Sequence, residues 1–219
     1  MARFRRVFTP GATWFFTVAA ARRRHLLTDL RVISAFGTAM REARQTLPFS
    51  MPAWVILPDH LHVIWTLPEN DTDYPRRWSI IKRRTSQLAG LPPMARTCSM
   101  VARRESGLWQ RRYWEHLIRD TDDLYRHIDY IHFNPVKHGH ADAPASWPYS
   151  SFARHLRTGT HPPDWRAAPD METLDAGEPW HALCARRRDA RIKPPCARRT
   201  LLANLRAARR WSTLQRHRE

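Results

Sequence analysis

Two histidines separated by one residue stand in an otherwise apolar run, Leu57-Pro-Asp-His-Leu-His-Val-Ile-Trp65. On a β-strand, residues i and i+2 project from the same face, so His60 and His62 would present two imidazoles side by side. Adjacent imidazoles suit an apolar core poorly, but together they can bind a metal ion. The pattern predicts a two-histidine metal site, with two ordinary packed histidines as the alternative.

A tyrosine and an asparagine form the second candidate group, in Asp129-Tyr-Ile-His-Phe-Asn-Pro135. On a helix, Tyr130 and Asn134 are four residues apart and lie on one face. The phenol oxygen could act as a nucleophile, and the amide oxygen could be a third metal ligand. The alternative is a partly buried tyrosine followed by an asparagine that caps the helix before a proline.

Hydrophobic patterns and turn residues predict the elements that position these side chains. Strands are expected at residues 12–21, 51–57, 60–67 and 108–118, and helices at residues 27–46, 75–88 and 120–134. Pro135 is expected to end the last helix, because proline has no backbone N–H to donate. The order of elements predicts an α+β fold, in which a ferredoxin-like antiparallel sheet is flanked by helices and the tyrosine lies on a helix.

Charge and cysteine content restrict the class of protein. The 219 residues include 37 lysines and arginines against 20 aspartates and glutamates, which gives a formal net charge of +17. All but three of the basic residues are arginine, which binds phosphate through two hydrogen bonds, and such a charge is typical of nucleic-acid-binding proteins. Three widely spaced cysteines provide neither a disulfide framework nor a Cys-x-x-Cys zinc site, and they favour a reducing cytoplasm.

The two ends of the chain differ in composition from its centre. The apolar run near the N-terminus is interrupted by threonines and followed by arginines, so we interpret it as a strand rather than a secretory signal. It is also too short to span a membrane. We divide the chain into a domain at residues 1–165, which carries both candidate groups, and a basic C-terminal extension at residues 166–219. The extension is expected to be partly disordered, with a basic amphipathic helix at residues 201–211 as the alternative.

The two candidate groups together resemble the single-tyrosine HUH transposases, and among them the branch of the REP-associated tyrosine transposases. The shared motifs are H-hydrophobic-H at His60 and His62 and Tyr-x-x-x-Asn at Tyr130 and Asn134. The resemblance covers about residues 3–165. Further matching stretches are Gly11-Ala-Thr-Trp-Phe-Phe-Thr-Val18, Trp109-Gln-Arg-Arg-Tyr-Trp-Glu-His116, Tyr130-Ile-His-Phe-Asn-Pro-Val-Lys-His-Gly139 and Trp147-Pro-Tyr-Ser-Ser-Phe152.

The resemblance implies a nuclease and strand transferase that acts on single-stranded DNA at short palindromic, REP-like hairpins. His60, His62 and Asn134 would hold one divalent ion, Mg²⁺ or Mn²⁺. Tyr130 would attack the scissile phosphate and leave a 5′-phosphotyrosine and a free 3′-hydroxyl. A free phenol is about one-thousandth ionised at pH 7, a deficit of about 4 kcal/mol that a nearby cation can offset. Zinc also suits imidazole ligands, but the oxygens of the substrate favour magnesium or manganese.

Several residues near these motifs suit contact with DNA. Arg111, Arg112 and Lys137 are expected to bind phosphate groups. His127 lies on the tyrosine side of its helix and is expected to face solvent or DNA, with proton transfer as its alternative role. Three tryptophans could stack on unpaired bases where they are exposed: Trp109, Trp114 and Trp147.

The resemblance further implies a bacterial, cytoplasmic, nucleoid-associated protein that is a monomer. A homodimer stays open, because mobile relatives exchange their tyrosine helices between protomers. The rival hypothesis is a protein that binds hairpin DNA or RNA without cutting it. The presence of all four candidate residues argues against this rival.

Overall fold

A computed structural model of the protein describes residues 8–91, 107–162, 164–166 and 174. The first seven strands and helices follow the predicted order, and a short eighth element, a helix at Phe152–Arg157, was not predicted. They are β1 (Thr13–Ala19), α1 (Leu30–Thr46), β2 (Trp54–Ile56), β3 (His60–Thr66), α2 (Tyr74–Leu88), β4 (Trp114–Leu117), α3 (Thr121–Lys137) and α4 (Phe152–Arg157).

The strands form one antiparallel sheet in the order β2-β3-β1-β4. Helix α1 connects β1 to β2, and β3 lies between these two strands, which is the split β-α-β arrangement of ferredoxin-like folds. Strands β2 and β3 are joined by a tight turn, in which the backbone N–H of Leu57 donates to the carbonyl of His60 at 2.8 Å. The predicted α+β fold with an antiparallel sheet and flanking helices is therefore confirmed.

The two faces of the sheet have different roles. Alternate residues of β3 face opposite sides, so Leu61 and Val63 belong to the large apolar core that also includes residues of α1 and α2. Ile64 belongs to the smaller core, which includes residues of α3. His60 and His62 share the alternation of Ile64 and thus lie on the α3 side of the sheet. One face stabilises the fold, and the other carries the candidate site.

Helix α3 continues past the proline that was expected to end it. It runs to Lys137 with Pro135 inside its last turn, so the prediction that the helix stops near Asn134 is wrong. Proline removes one hydrogen bond to the preceding turn, but the end of the helix is closed by other donors. The N–H groups of His138 and His140 donate to the carbonyls of Asn134 and Pro135. Lys137 is consequently held on the same helix as Tyr130.

Two further expectations need correction. Strand β4 is confined to Trp114–Leu117 instead of residues 108–118, because Trp109 leaves the ladder and forms only an isolated bridge with Ala20. Leu88, which the helical spacing with Trp78 and Ile81 predicts to face the core, is 40% exposed at the end of α2. The basic extension from residue 166 lies almost entirely outside the described residues, so the division at residue 165 stays a prediction. Among the described residues, the helices are too short or too polar to cross a lipid bilayer.

The cap of α3 should stabilise the helix that carries the tyrosine. The Asp120 carboxylate accepts a hydrogen bond from the backbone N–H of Asp123 at 2.8 Å. We expect Asp120→Ala to lower the free energy of unfolding by about 1 kcal/mol, as measured by urea titration. Asp122→Ala is the control, because Asp122 lies exposed in the same first turn and interacts mainly with the helix dipole. Equal losses in the two variants would contradict a specific role for the cap.

Candidate active site

The two histidines of β3 lie side by side beneath α3. The centres of the His60 and His62 rings are 4.8 Å apart and their planes are nearly perpendicular. Their side chains are buried, with residue exposures of 1% and 0%. Two polar rings buried next to each other are unfavourable in an apolar core unless each finds a partner.

One nitrogen of each ring is fixed by a neighbouring oxygen. Nδ1 of His60 lies 2.6 Å from Oδ1 of Asp59, and Nδ1 of His62 lies 2.9 Å from Oγ1 of Thr17. An ionised carboxylate only accepts hydrogen bonds, so Nδ1 of His60 carries the proton and Nε2 is the nitrogen that can bind a cation. Such oxygen partners orient histidine ligands in metal sites and raise their basicity. Residue type and spacing along the sequence did not indicate Asp59 or Thr17.

Asp59 is kept ionised by its neighbours. Burial raises its pKa, but the hydrogen bond with His60 and the positive charge of Arg23 outweigh that effect and hold the pKa below its ordinary value. Nε of Arg23 lies 3.1 Å from Oδ2 of Asp59. Arg23 has a backbone φ of 54°, a left-handed conformation that is uncommon for arginine. A charged network thus fixes the orientation of His60 from the turn that follows β1.

Helix α3 and the residue that caps its C-terminal end place Tyr130, Asn134 and His138 on one face, four residues apart. The ring of Tyr130 lies 5.3 Å from that of His62, and the ring of His138 lies 5.3 Å from that of His60. Asn134 is one turn from each of these contacts, so its position on the helix faces the histidine pair. The structure therefore brings together the four residues that the two motifs contribute.

The amide of Asn134 fits a metal ligand. Asn134 is 0% exposed, and neither its Oδ1 nor its Nδ2 has a hydrogen-bond partner among the residues that the structure describes. An unsatisfied buried polar group costs about 1–3 kcal/mol, so this amide is expected to have a ligand in the functional protein. An amide oxygen next to two imidazoles can bind a divalent cation.

Lys137 lies directly against the tyrosine. Its Nζ is 3.4 Å from Oη of Tyr130 and 4.5 Å from the centre of the phenol ring. A positive charge at this distance stabilises negative charge on the phenol oxygen. Tyr130 is only 1% exposed, so a DNA phosphate can reach it only if neighbouring side chains move.

The other predicted DNA-binding residues lie at the edge of the site. Arg111 and Arg112 are exposed and follow Gln110, whose N–H donates to the carbonyl of Ala19 at 2.8 Å. Ala19 pairs with His60 across the sheet. The two arginines thus lie outside the strands, beside the end of the sheet that carries the histidines.

His127 does not face solvent or DNA, so that expectation is wrong. It is 1% exposed, and its Nδ1 donates to the carbonyl of Asp123 at 2.7 Å. Burial lowers the pKa of His127 to about 4, which leaves the ring neutral at physiological pH. Of the three tryptophans considered for base stacking, Trp109 is buried, whereas Trp114 and Trp147 are partly exposed.

The sequence matches no protein-family model, but it is similar to individual known proteins. A Haemophilus influenzae protein assigned to the REP-associated tyrosine transposases is 43% identical over 175 residues, 78% of this chain and 97% of that protein. The REP-associated tyrosine transposase of Escherichia coli is 40% identical over 178 residues, 81% of this chain and 98% of that protein.

A solved structure described as a REP-associated tyrosine transposase bound to a REP hairpin is also similar. It has a TM-score of 0.69 and 41% sequence identity, with 81% of this chain and 98% of that chain covered. Sequence and fold therefore agree with the resemblance indicated by the H-x-H and Tyr-x-x-x-Asn motifs. The chain belongs to the REP-associated tyrosine transposases, a family of tyrosine-nucleophile enzymes.

Proposed function

We propose that this protein cuts and joins single-stranded DNA at short palindromic hairpins, with Tyr130 as its nucleophile. His60, His62 and Asn134 would hold one divalent ion, Mg²⁺ or Mn²⁺. The observation that carries the proposal is the position of the buried, unsatisfied Asn134 amide, one helical turn from Tyr130 and above the histidine pair. The hairpin in the solved relative supports this class of substrate.

In this proposal each residue has a defined task. Asp59 and Thr17 orient the two imidazoles so that Nε2 of each can bind the cation, which supplies Lewis-acid polarisation of a phosphate oxygen when present. The phenol of Tyr130 loses its proton to water, and its Oη attacks phosphorus. The bond from phosphorus to the 3′ oxygen breaks, the 3′ oxygen leaves as a hydroxyl after taking up a proton, and the 5′ phosphate stays on the tyrosine.

Joining reverses these bond changes with a new acceptor. A DNA 3′-hydroxyl attacks the phosphotyrosine, the phosphodiester forms again, and the phenol of Tyr130 is released. Hydrolysis by water instead would give simple cleavage. We further propose that the protein acts as a monomer, since Tyr130 and the histidine pair come from the same chain.

Lys137 is proposed to stabilise negative charge on the phenol oxygen and then to contact the incoming phosphate. We expect Lys137→Met, which keeps the length of the side chain, to slow formation of the covalent adduct about a hundredfold. Lys137→Arg should restore part of the rate. Single-turnover kinetics with a labelled hairpin measure the effect. Lys82→Met is the matched control, because Nζ of Lys82 donates to the carbonyl of Gln110, away from the tyrosine. An unchanged rate in Lys137→Met would contradict this role.

Phosphate contacts should make hairpin binding depend strongly on salt. Affinity falls as salt rises, and each lost contact makes the slope of log affinity against log salt shallower by roughly 0.7–0.9. We therefore expect the double substitution Arg111→Gln and Arg112→Gln to reduce this slope by about 1–2, as measured by fluorescence anisotropy between low and moderate salt. A second protein that ends at residue 181 tests whether the basic extension adds further contacts. A slope unaffected by the double substitution would remove the two arginines from the DNA interface.

One assay separates cutting from binding. A hairpin DNA with a single-stranded flank, labelled at its 3′ end, is incubated with the protein and with Mg²⁺, Mn²⁺ or EDTA, beside the RNA of the same sequence. We expect cleavage and a covalent adduct of the DNA with either ion, and none in EDTA or with RNA. Tight binding without cleavage of DNA under every condition would instead support a hairpin-binding protein that does not cut.

A further inference from the structure

Three buried histidines lie together away from the candidate active site. His132 belongs to α3, His155 to α4, and His161 follows α4. The ring centre of His132 is 4.5 Å from that of His155 and 5.0 Å from that of His161. One nitrogen from each ring can be chosen so that the three atoms lie within 4.8 Å of one another. The three residues are between 0% and 8% exposed.

His155 has a buried lone pair for which the described residues provide no hydrogen-bond donor. Its Nε2 lies 2.9 Å from the carbonyl oxygen of Pro52, which can only accept, so Nε2 carries the proton of the neutral ring. Burial lowers the pKa of His155, which favours that neutral form. Nδ1 is then an acceptor, and it has no hydrogen-bond partner among the described residues. Buried nitrogens are rarely left in this state.

The other two rings can also direct lone pairs at a shared ion. Nδ1 of His132 and Nε2 of His161 are 2.8 Å apart and share one hydrogen. Nε2 of His132 lies 2.8 Å from Oγ of Ser151, which can accept a hydrogen bond. If His132 carries its proton on Nε2 and His161 carries its proton on Nδ1, both facing nitrogens are free to bind a cation. This change of tautomer needs no net release of protons.

A carboxylate completes the group. Oδ1 of Asp129 lies 3.7 Å from Nε2 of His161. Three imidazoles and one carboxylate are a suitable tetrahedral ligand set for zinc, whereas magnesium prefers six oxygen ligands. Nitrogens bound tetrahedrally to one zinc are about 3.4 Å apart. His132 and His161 would need to separate by about half an ångström, and a pair of nitrogens at the 4.8 Å limit of the group would need to approach by about 1.4 Å.

We propose that His132, His155 and His161, with Asp129 as the fourth ligand, bind one Zn²⁺ that is separate from the ion at Tyr130. The site would join α3 to α4 and to the residues that follow it. Because His132 and Asp129 lie on α3 on either side of Tyr130, the zinc would also hold the helix that carries the nucleophile. Its role would be structural, since closed four-coordinate zinc sites contribute directly to folding.

The test uses the full chain with His60→Ala and His62→Ala, so that the other metal site is absent. After dialysis against zinc and gel filtration, we expect one zinc per chain by elemental analysis, and excess Mg²⁺ should not displace it. Cobalt in place of zinc should give the intense visible absorption of a four-coordinate site. In the same background, His155→Ala and His161→Ala should each weaken zinc binding by more than the roughly 10- to 100-fold that a ligand-orienting group contributes.

The control addresses another group of possible ligands, His116, Asp123 and His127. In the same background, His116→Ala should leave zinc binding unchanged, because His116 belongs to a different group of side chains from the proposed ligands. Zinc should raise the midpoint of thermal unfolding in the parent, which is the protein with only His60→Ala and His62→Ala. It should not raise the midpoint when His155→Ala is added. If His155→Ala does not fold, the cobalt spectrum and zinc content of the parent still decide the matter. A parent that retains no zinc, or that loses it through His116→Ala and not through His161→Ala, would overturn the proposal. These zinc measurements need no DNA cleavage, so failure of the hairpin-cleavage assay would contradict the proposed function and leave the zinc proposal to be decided separately.

Discussion

Tyr130→Phe is expected to bind hairpin DNA with the affinity of the unaltered protein and to form no covalent adduct. Phenylalanine keeps the ring that packs 5.3 Å from His62, so the local structure should persist. It removes the phenol oxygen that is proposed to attack phosphorus. A hairpin labelled at its 3′ end is resolved on a denaturing gel after incubation with Mg²⁺, which shows the adduct as a band of low mobility.

Tyr125→Phe is the matched control on the same helix. Tyr125 is 52% exposed and lies five residues before Tyr130, about 140° around the helix axis. Four residues after Tyr125, on the same face of the helix, lies Asp129 and not an asparagine. We expect Tyr125→Phe to form the adduct at the normal rate. An adduct in Tyr130→Phe that is lost in Tyr125→Phe would show that the nucleophile has been assigned to the wrong residue.

His62→Ala should abolish cleavage while hairpin affinity changes by less than about tenfold, or 1.4 kcal/mol, because phosphate contacts dominate binding. The substitution removes one ligand of the proposed ion, and His60→Ala should act in the same way. Cleavage is followed with increasing Mn²⁺ and affinity by fluorescence anisotropy in EDTA. We expect no concentration of Mn²⁺ to restore cleavage in His62→Ala.

Thr17→Val provides a graded comparison for this result. Valine has the shape of threonine but lacks the oxygen that lies 2.9 Å from Nδ1 of His62. Loss of such an orienting group weakens metal binding by roughly 10- to 100-fold, so Thr17→Val should cut DNA normally once Mn²⁺ is raised by that factor. Cleavage at the normal rate in EDTA would rule out the metal mechanism altogether.

Local spacing made the fold and the central residues predictable. His60 and His62 are two residues apart on a strand, and Tyr130 and Asn134 are four apart on a helix, so each pair could be assigned to one face without any knowledge of the rest of the chain. The order of strands and helices was also readable, because alternation and capping residues such as Asp120 mark elements locally.

Contacts between distant segments could not be read in this way. Thr17 meets His62 only because β1 pairs with β3 in one particular register. Lys137 reaches Tyr130 because α3 continues through Pro135, against the usual effect of proline. The burial of His127 depends on how α3 packs on the sheet. Each of these facts follows from tertiary structure, which residue type and spacing alone do not determine.

The division of β3 between two faces determines what a single substitution would change. Leu61 and Val63 hold the large core, while His60 and His62 occupy the opposite face. An apolar replacement of either histidine would leave the large core intact and remove a buried polar ring. On the proposed mechanism, a single substitution of this kind would abolish cutting and leave a folded protein. The stability of the large core therefore does not depend on the residues proposed to bind the ion.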